Sequence, residues 1–153
     1  MAKLNNVISA LVDRWTALAV SGGTLDGTLV FDGPPVTPAS TMDLLIIGDD
    51  GGQDSGDQST FEQVWVDLAC TRREEYGEVL CSAISSYGGT DVRSRRDRVD
   101  VLLTACENDL RSDQTLGGVV YSATFIRAAS TGMQNTAGAA VVTPFTVRYR
   151  ALA

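Results

Sequence analysis

The sequence predicts an α+β fold in which two long helices pack against strands gathered into a sheet. Three observations lead there. Asp91–Asp113 carries Val92, Val99, Leu102, Leu103, Cys106 and Leu110 at helical spacing. Gly77–Tyr87, just before it, reads as a strand of β-branched, small and aromatic residues with no proline. The whole chain then orders itself as helix, four strands, helix, two strands, with no internal repeat and no linker, so residues 1–153 make one domain.

Each element has its own signal. Lys3–Val20 is an amphipathic helix whose stripe is Leu4, Val7, Ile8, Leu11, Trp15 and Leu18, and Ser21-Gly22-Gly23 stops it. Leu29–Phe31 is a short strand cut off by Asp32-Gly33-Pro34-Pro35, because proline lacks a ladder donor. Leu44–Ile47 is unbroken apolar and reads as a strand buried on both faces. Asp49–Thr60 is a polar, glycine-rich loop. Phe61–Leu68 alternates, with Phe61, Gln63, Trp65 and Asp67 on one face and Glu62, Val64, Val66 and Leu68 on the other. Thr71–Tyr76 reads as a charged turn that joins this strand to the next as a hairpin.

The turn Gly88–Asp91 ends in two N-cap candidates and opens the long helix. Its 23 residues span roughly 35 Å, enough to cross a small domain. Thr115-Leu116-Gly117-Gly118 supplies the stop through left-handed caps. Val119–Ala128 and Ala139–Arg150 are the last two strands, with a small, polar, flexible segment between them. Pro144 places the final strand at an edge or over a bulge.

Composition narrows the function classes. The apolar share of 44% fits a folded core, and no apolar run is long enough for a membrane helix. The N-terminal stretch is broken by polar residues, Asp13 and Arg14 among them, unlike a secretory signal, so synthesis in the cytoplasm is expected. The three cysteines have no paired spacing and read as small buried hydrophobes. The absence of histidine removes Ser-His and Cys-His nucleophile pairs, histidine-ligated zinc and the commonest general base. Net charge is −7, unevenly spread: nine acids and no base lie between Trp15 and Thr71, while Gln114 onward carries three arginines and no acid. A sustained grip on nucleic acid needs a basic face that this balance does not supply.

Site motifs fail one by one. A calcium loop needs a glycine at its sixth position and a glutamate at its twelfth. Counting from Asp49 finds Asp54 and Thr60, and from Asp50, Ser55 and Phe61. A solvated loop is the simpler reading. Gly51-Gly52 is followed by acids that would repel a phosphate. Glu74, Glu75 and Glu78 sit in a charged turn and make a poor acid–base pair. Arg93, Arg95, Arg96 and Arg98 are countered by Asp91, Asp97 and Asp100, as a solvated helix half or an intersubunit ion-pair strip. No catalytic, cofactor-binding or metal-binding residue is therefore expected, and no enzyme.

Taken in order, Val30-Phe31-Asp32-Gly33-Pro34-Pro35-Val36 after a leading helix, and Leu44-Leu45-Ile46-Ile47-Gly48, resemble the tail-terminator (tail-completion) proteins of long-tailed phages. Gly89-Thr90-Asp91-Val92, the Arg-rich helix, Asp109–Gly118 and the ending Phe145-Thr146-Val147-Arg148-Tyr149-Arg150 are similar to versions from phages of actinobacteria. The resemblance covers nearly the whole chain, and rests on the order and spacing of the motifs. It implies a mixed, mainly antiparallel sheet with the two helices packed on it, and a structural role without an active site. Copies would form a ring, typically six-fold, on the head-proximal end of the tail tube, stopping polymerisation of the tube protein and meeting the head-side neck or stopper protein. The location implied is the neck of a virion assembled in the host cytoplasm, with DNA passing through the bore unbound. A stopper or adaptor of the same neck, or a small cytoplasmic enzyme or ligand-binding domain, are the alternatives.

Charge asymmetry suggests where copies would meet. Arg148 and Arg150 share the outward face of the last strand and, with Arg95 and Arg96, are the candidate basic side of a subunit interface. Asp49, Asp50, Asp54 and Asp57 are candidates to face the bore or a contact. Asp49–Asp57 and Thr131–Gly138 have too little apolar area to order in a free subunit.

Overall fold

The computed structural model describes residues 2–33, 43–49, 59–69, 71–87, 89, 91–128, 131–135 and 138–153. Two helices and seven strands follow the expected class and order, with one strand more at the end. They are α1 (Leu4–Leu18), β1 (Thr28–Asp32), β2 (Asp43–Ile47), β3 (Ser59–Trp65), β4 (Arg73–Tyr87), α2 (Val92–Ser112), β5 (Ser122–Ala128), β6 (Thr131–Asn135) and β7 (Gly138–Leu152).

Two 15-residue strands, β4 and β7, run antiparallel through the centre of the sheet, each roughly 50 Å long at ordinary strand rise. Short strands flank them in pairs. The first half of β4 pairs with β3 and its second half with β2, which carries β1 in parallel at the edge. On the other side β7 takes β6 along its first part and β5 along its last. The sheet is therefore mixed, with β1–β2 as its parallel pair and every other pairing antiparallel.

Both helices lie on one face. α1 covers β1, β2 and β4, while α2 covers β4, β7, β5 and β6. Period two in the strands and 3.6 in the helices bring one set of side chains inward. Val7, Leu11 and Trp15 of α1 and Val99, Leu102, Cys106 and Leu110 of α2 meet Leu45, Ile47, Val79, Cys81, Ala83, Val141, Phe145 and Val147 of the sheet. Trp15 and Phe125 both contact the Phe145 ring, at centroid distances of 6.0 and 5.3 Å. All four apolar residues of β2 are buried, as expected of a strand covered on both sides.

Three expectations change. Arg73–Tyr76, read as turn, is the first turn-free stretch of β4, because β3 and β7 supply partners on both sides from Arg73 and Glu74 onward. The segment after β5, read as flexible through Thr131–Gly138, contains β6, a hairpin strand whose Asn135 pairs with Gly138. Pro144 lies in a central strand rather than at an edge. It falls where β7 passes from β6, whose pairing reaches Val142, to β5, whose pairing begins at Phe145. A residue without an N–H costs no ladder bond on that side.

Candidate assembly surfaces

Glu75 anchors the β3–β4 hairpin two residues from its closing pair, Trp65 and Arg73. Its side chain points to the helical face and is wholly buried. Lys3 N–H donates to both carboxyl oxygens at 2.9 and 3.0 Å, Gln63 Nε2 donates at 2.8 Å and Tyr149 Oη at 2.6 Å. No side chain of its own segment caps the start of α1, so a strand glutamate does this in place of an N-cap residue. Burial and the Glu75 hydrogen bond push the Tyr149 hydroxyl well above its ordinary range. Gly77 makes the arrangement possible, since a Cβ there would overlap the Tyr149 ring that crosses it.

The opposite face of the same strands carries charge. Arg148 bonds Glu78 at 2.8 Å, and Arg150 reaches both oxygens of Glu74 at 2.8 Å while lying over the Tyr76 ring. The Glu74 carboxyl is held below its usual range by Arg150 and then by the Tyr76 hydroxyl. Both arginines thus face outward, as the alternation predicts, and both have partners in their own subunit. Arg95 lies over Tyr87 and donates to Ser85 and Ser94, whereas Arg96 is exposed. Arg98 ties α2 to β2 through Asp43 at 2.6 Å. Asp49 is buried just past β2, so it does not belong to an exposed acidic surface. Asp50, Asp54 and Asp57 lie outside the described residues.

Two surface features escaped sequence reasoning. The first is the β3 hairpin. Phe61, Val64, Trp65 and Val66 are each close to half exposed and Leu68 is fully exposed. Arg73 lies 4.0 Å over the Trp65 ring, and Arg72 accepts the Val66 N–H through its carbonyl. The signal was in the alternation: β3 has apolar side chains on both faces, and in the folded chain neither is buried, Phe61 and Trp65 on one and Val64 on the other staying close to half exposed. The second is a groove of about 650 Å³ on the outer side of the helices, with Leu18, Val101 and Ala105 on its walls and Asp100 and Asp109 among its polar groups. One wall is the outward side of α2 from Asp100 to Ser112 and the other is Leu18 and Thr24, about eighty residues earlier, so no local pattern announces their meeting.

Among the described residues no cluster of His, Cys, Asp or Glu is placed to hold a metal. Burial pushes the Cys81 thiol up to about 12 and the Cys106 thiol well above its ordinary range, which leaves both poor nucleophiles. No helix among these residues is long and apolar enough to cross a membrane.

Fold and surface together describe a two-layer α+β domain whose distinctive chemistry is exposed rather than enclosed. Among solved structures, it is similar to a chain of the virion of native gene transfer agent (GTA) particle. The TM-score is 0.59 at 14% identity, over 95% of this chain and 94% of that one, a likeness of fold. No protein-family model matches the chain, and no curated protein matches it in sequence.

Proposed function

We propose that this chain is a structural subunit of a phage-like virion, and that its copies form a ring capping the head-proximal end of a tail tube. One observation carries the reading: the likeness of fold to a chain of a gene transfer agent virion runs end to end, with no large segment unmatched in either protein. The sequence resemblance to tail terminators points to the same class by a separate route. Exposed apolar side chains on β3 add support, because monomeric proteins rarely leave such a cluster uncovered.

In this reading the protein acts by occupying a surface. A ring seated on the last layer of tube protein hides the face to which the next layer would add, and so ends growth. It then offers its own outer face to the neck. Arg148 and Arg150, Arg95 and Arg96 are proposed at subunit contacts, and Asp50, Asp54 and Asp57 at the bore or a partner.

Electron microscopy of the purified protein, alone and with tail tubes, tests this. Rings, six-fold in the simplest case, and a cap at one end of each tube are the expected result. Tubes growing in its presence should stop short. A protein that forms no ring and binds no tube end would overturn the proposal, while attachment to the head side alone would make it a stopper or adaptor.

A further inference from the structure

We infer that the tip of the β3–β4 hairpin of one copy seats in the groove between α1 and α2 of the next. The inference deepens the ring reading and rests on it, naming the two surfaces that meet. Val66 and Leu68 carry the exposed apolar area of the tip, and Arg72 is exposed beside them. The groove presents apolar walls of Leu18, Val101 and Ala105 with the exposed Asp100 at its edge. Knob and groove therefore match in polarity, and Arg72 on the knob is opposite in sign to Asp100 on the groove, which suits a contact with fixed register. Asp67, the acid of the tip, is held by the Thr71 N–H and hydroxyl.

A subunit cannot satisfy itself this way. Lys3, at the start of α1, is bonded to Glu75 close to the turn of the hairpin, whereas Leu18, at the end of α1, lines the groove. Ile8 lies over Gly48, further along the sheet from the hairpin, so the tip extends beyond the N-terminal end of the helix. Fifteen helical residues put the two features about 22 Å apart along its axis. Different patches meeting from copy to copy make a heterologous contact, which closes into a ring when the rotation permits.

The test is a crosslink between two variants in a Cys70→Ser background. One carries Leu68→Cys and the other Val101→Cys, each exposed and each unable to make the contact disulfide with itself. Mixed under mild oxidation, they should give a crosslinked pair that neither gives alone. In separate samples Leu68→Glu and Val101→Glu should each weaken self-association at least about tenfold with an unchanged circular dichroism spectrum. Arg72→Glu and Asp100→Arg should each weaken it, and the double variant should restore it. Rings that form without the mixed crosslink, and that tolerate Leu68→Glu, would overturn this contact and leave the ring reading standing. A chain that stays monomeric and never caps a tube would overturn both.

Discussion

Glu75 sets the behaviour of its neighbours because it is buried and every hydrogen bond to it comes from a different element. Removing its charge with Glu75→Gln puts an amide N–H₂ where only acceptors fit. This should cost ~1–3 kcal/mol, as for a buried group left unsatisfied. Gly77→Ala forces the Tyr149 ring off Glu75 and should cost a similar ~1–3 kcal/mol through overpacking. Urea unfolding of the two variants measures both. Glu74→Gln, one residue away on the solvent side, should have much the smaller effect, since exposed ion pairs contribute little. Equal effects of the Glu74 and Glu75 changes would contradict the buried network.

The second helix shows how an element is held at its ends. Asp91 accepts the Ser94 N–H at its start, and Arg98 fastens its first half to Asp43. At the other end Asp113 accepts from the Thr115 hydroxyl and N–H and from Gly117 N–H, with Arg14 alongside. Leu116, Gly117 and Gly118 then follow with positive φ, a turn in which the two glycines are suited to the left-handed conformation. These donors, the Thr115 hydroxyl foremost, hold the Asp113 carboxyl at about 2 against an ordinary 3.8. A depressed carboxyl stabilises the fold above its unfolded pKa and loses that contribution as pH falls through its folded one. Asp113→Asn should therefore melt below the wild type above pH about 4, with the gap closing as pH falls toward 2. Melting curves between those limits decide it, and a gap independent of pH would sink the assignment.

At the scale of the whole molecule, a net charge of −7 acts together with the placement of the arginines. Among the described residues six salt bridges involve Arg14, Arg98, Arg111, Arg148 and Arg150, each matched to an acid of the same chain. Phosphate affinity grows with the number of cations free to displace counterions, and pairing within the subunit lowers it. If copies of this chain surround DNA in a virion, they should let it slide. The purified protein should show no measurable affinity for duplex DNA near 0.15 M salt by fluorescence anisotropy. Tight binding would contradict a passive bore.

The sequence by itself determined both helices, most of the strands and the absence of histidine chemistry, because these depend on periodicity and composition within a few residues of each other. Asp91–Asp113 was legible as a helix since its apolar stripe, cap and glycine stop are all local. Leu44–Ile47 was legible as doubly buried for the same reason. Only tertiary structure decided that Arg73–Tyr76 is strand and that Pro144 is central. Each depends on which strands arrive alongside, and those partners lie tens of residues away. The same holds for the surfaces. That Glu75 turns inward beneath α1 while Glu74 and Glu78 meet Arg150 and Arg148 follows from the register of β4 against β7, since a one-residue slip would exchange the two faces. The groove exists only because α1 and α2 lie side by side, held by Arg14 between Asp109 and Asp113. Local pattern sets which residues are apolar, and long-range pairing sets which of them stay uncovered.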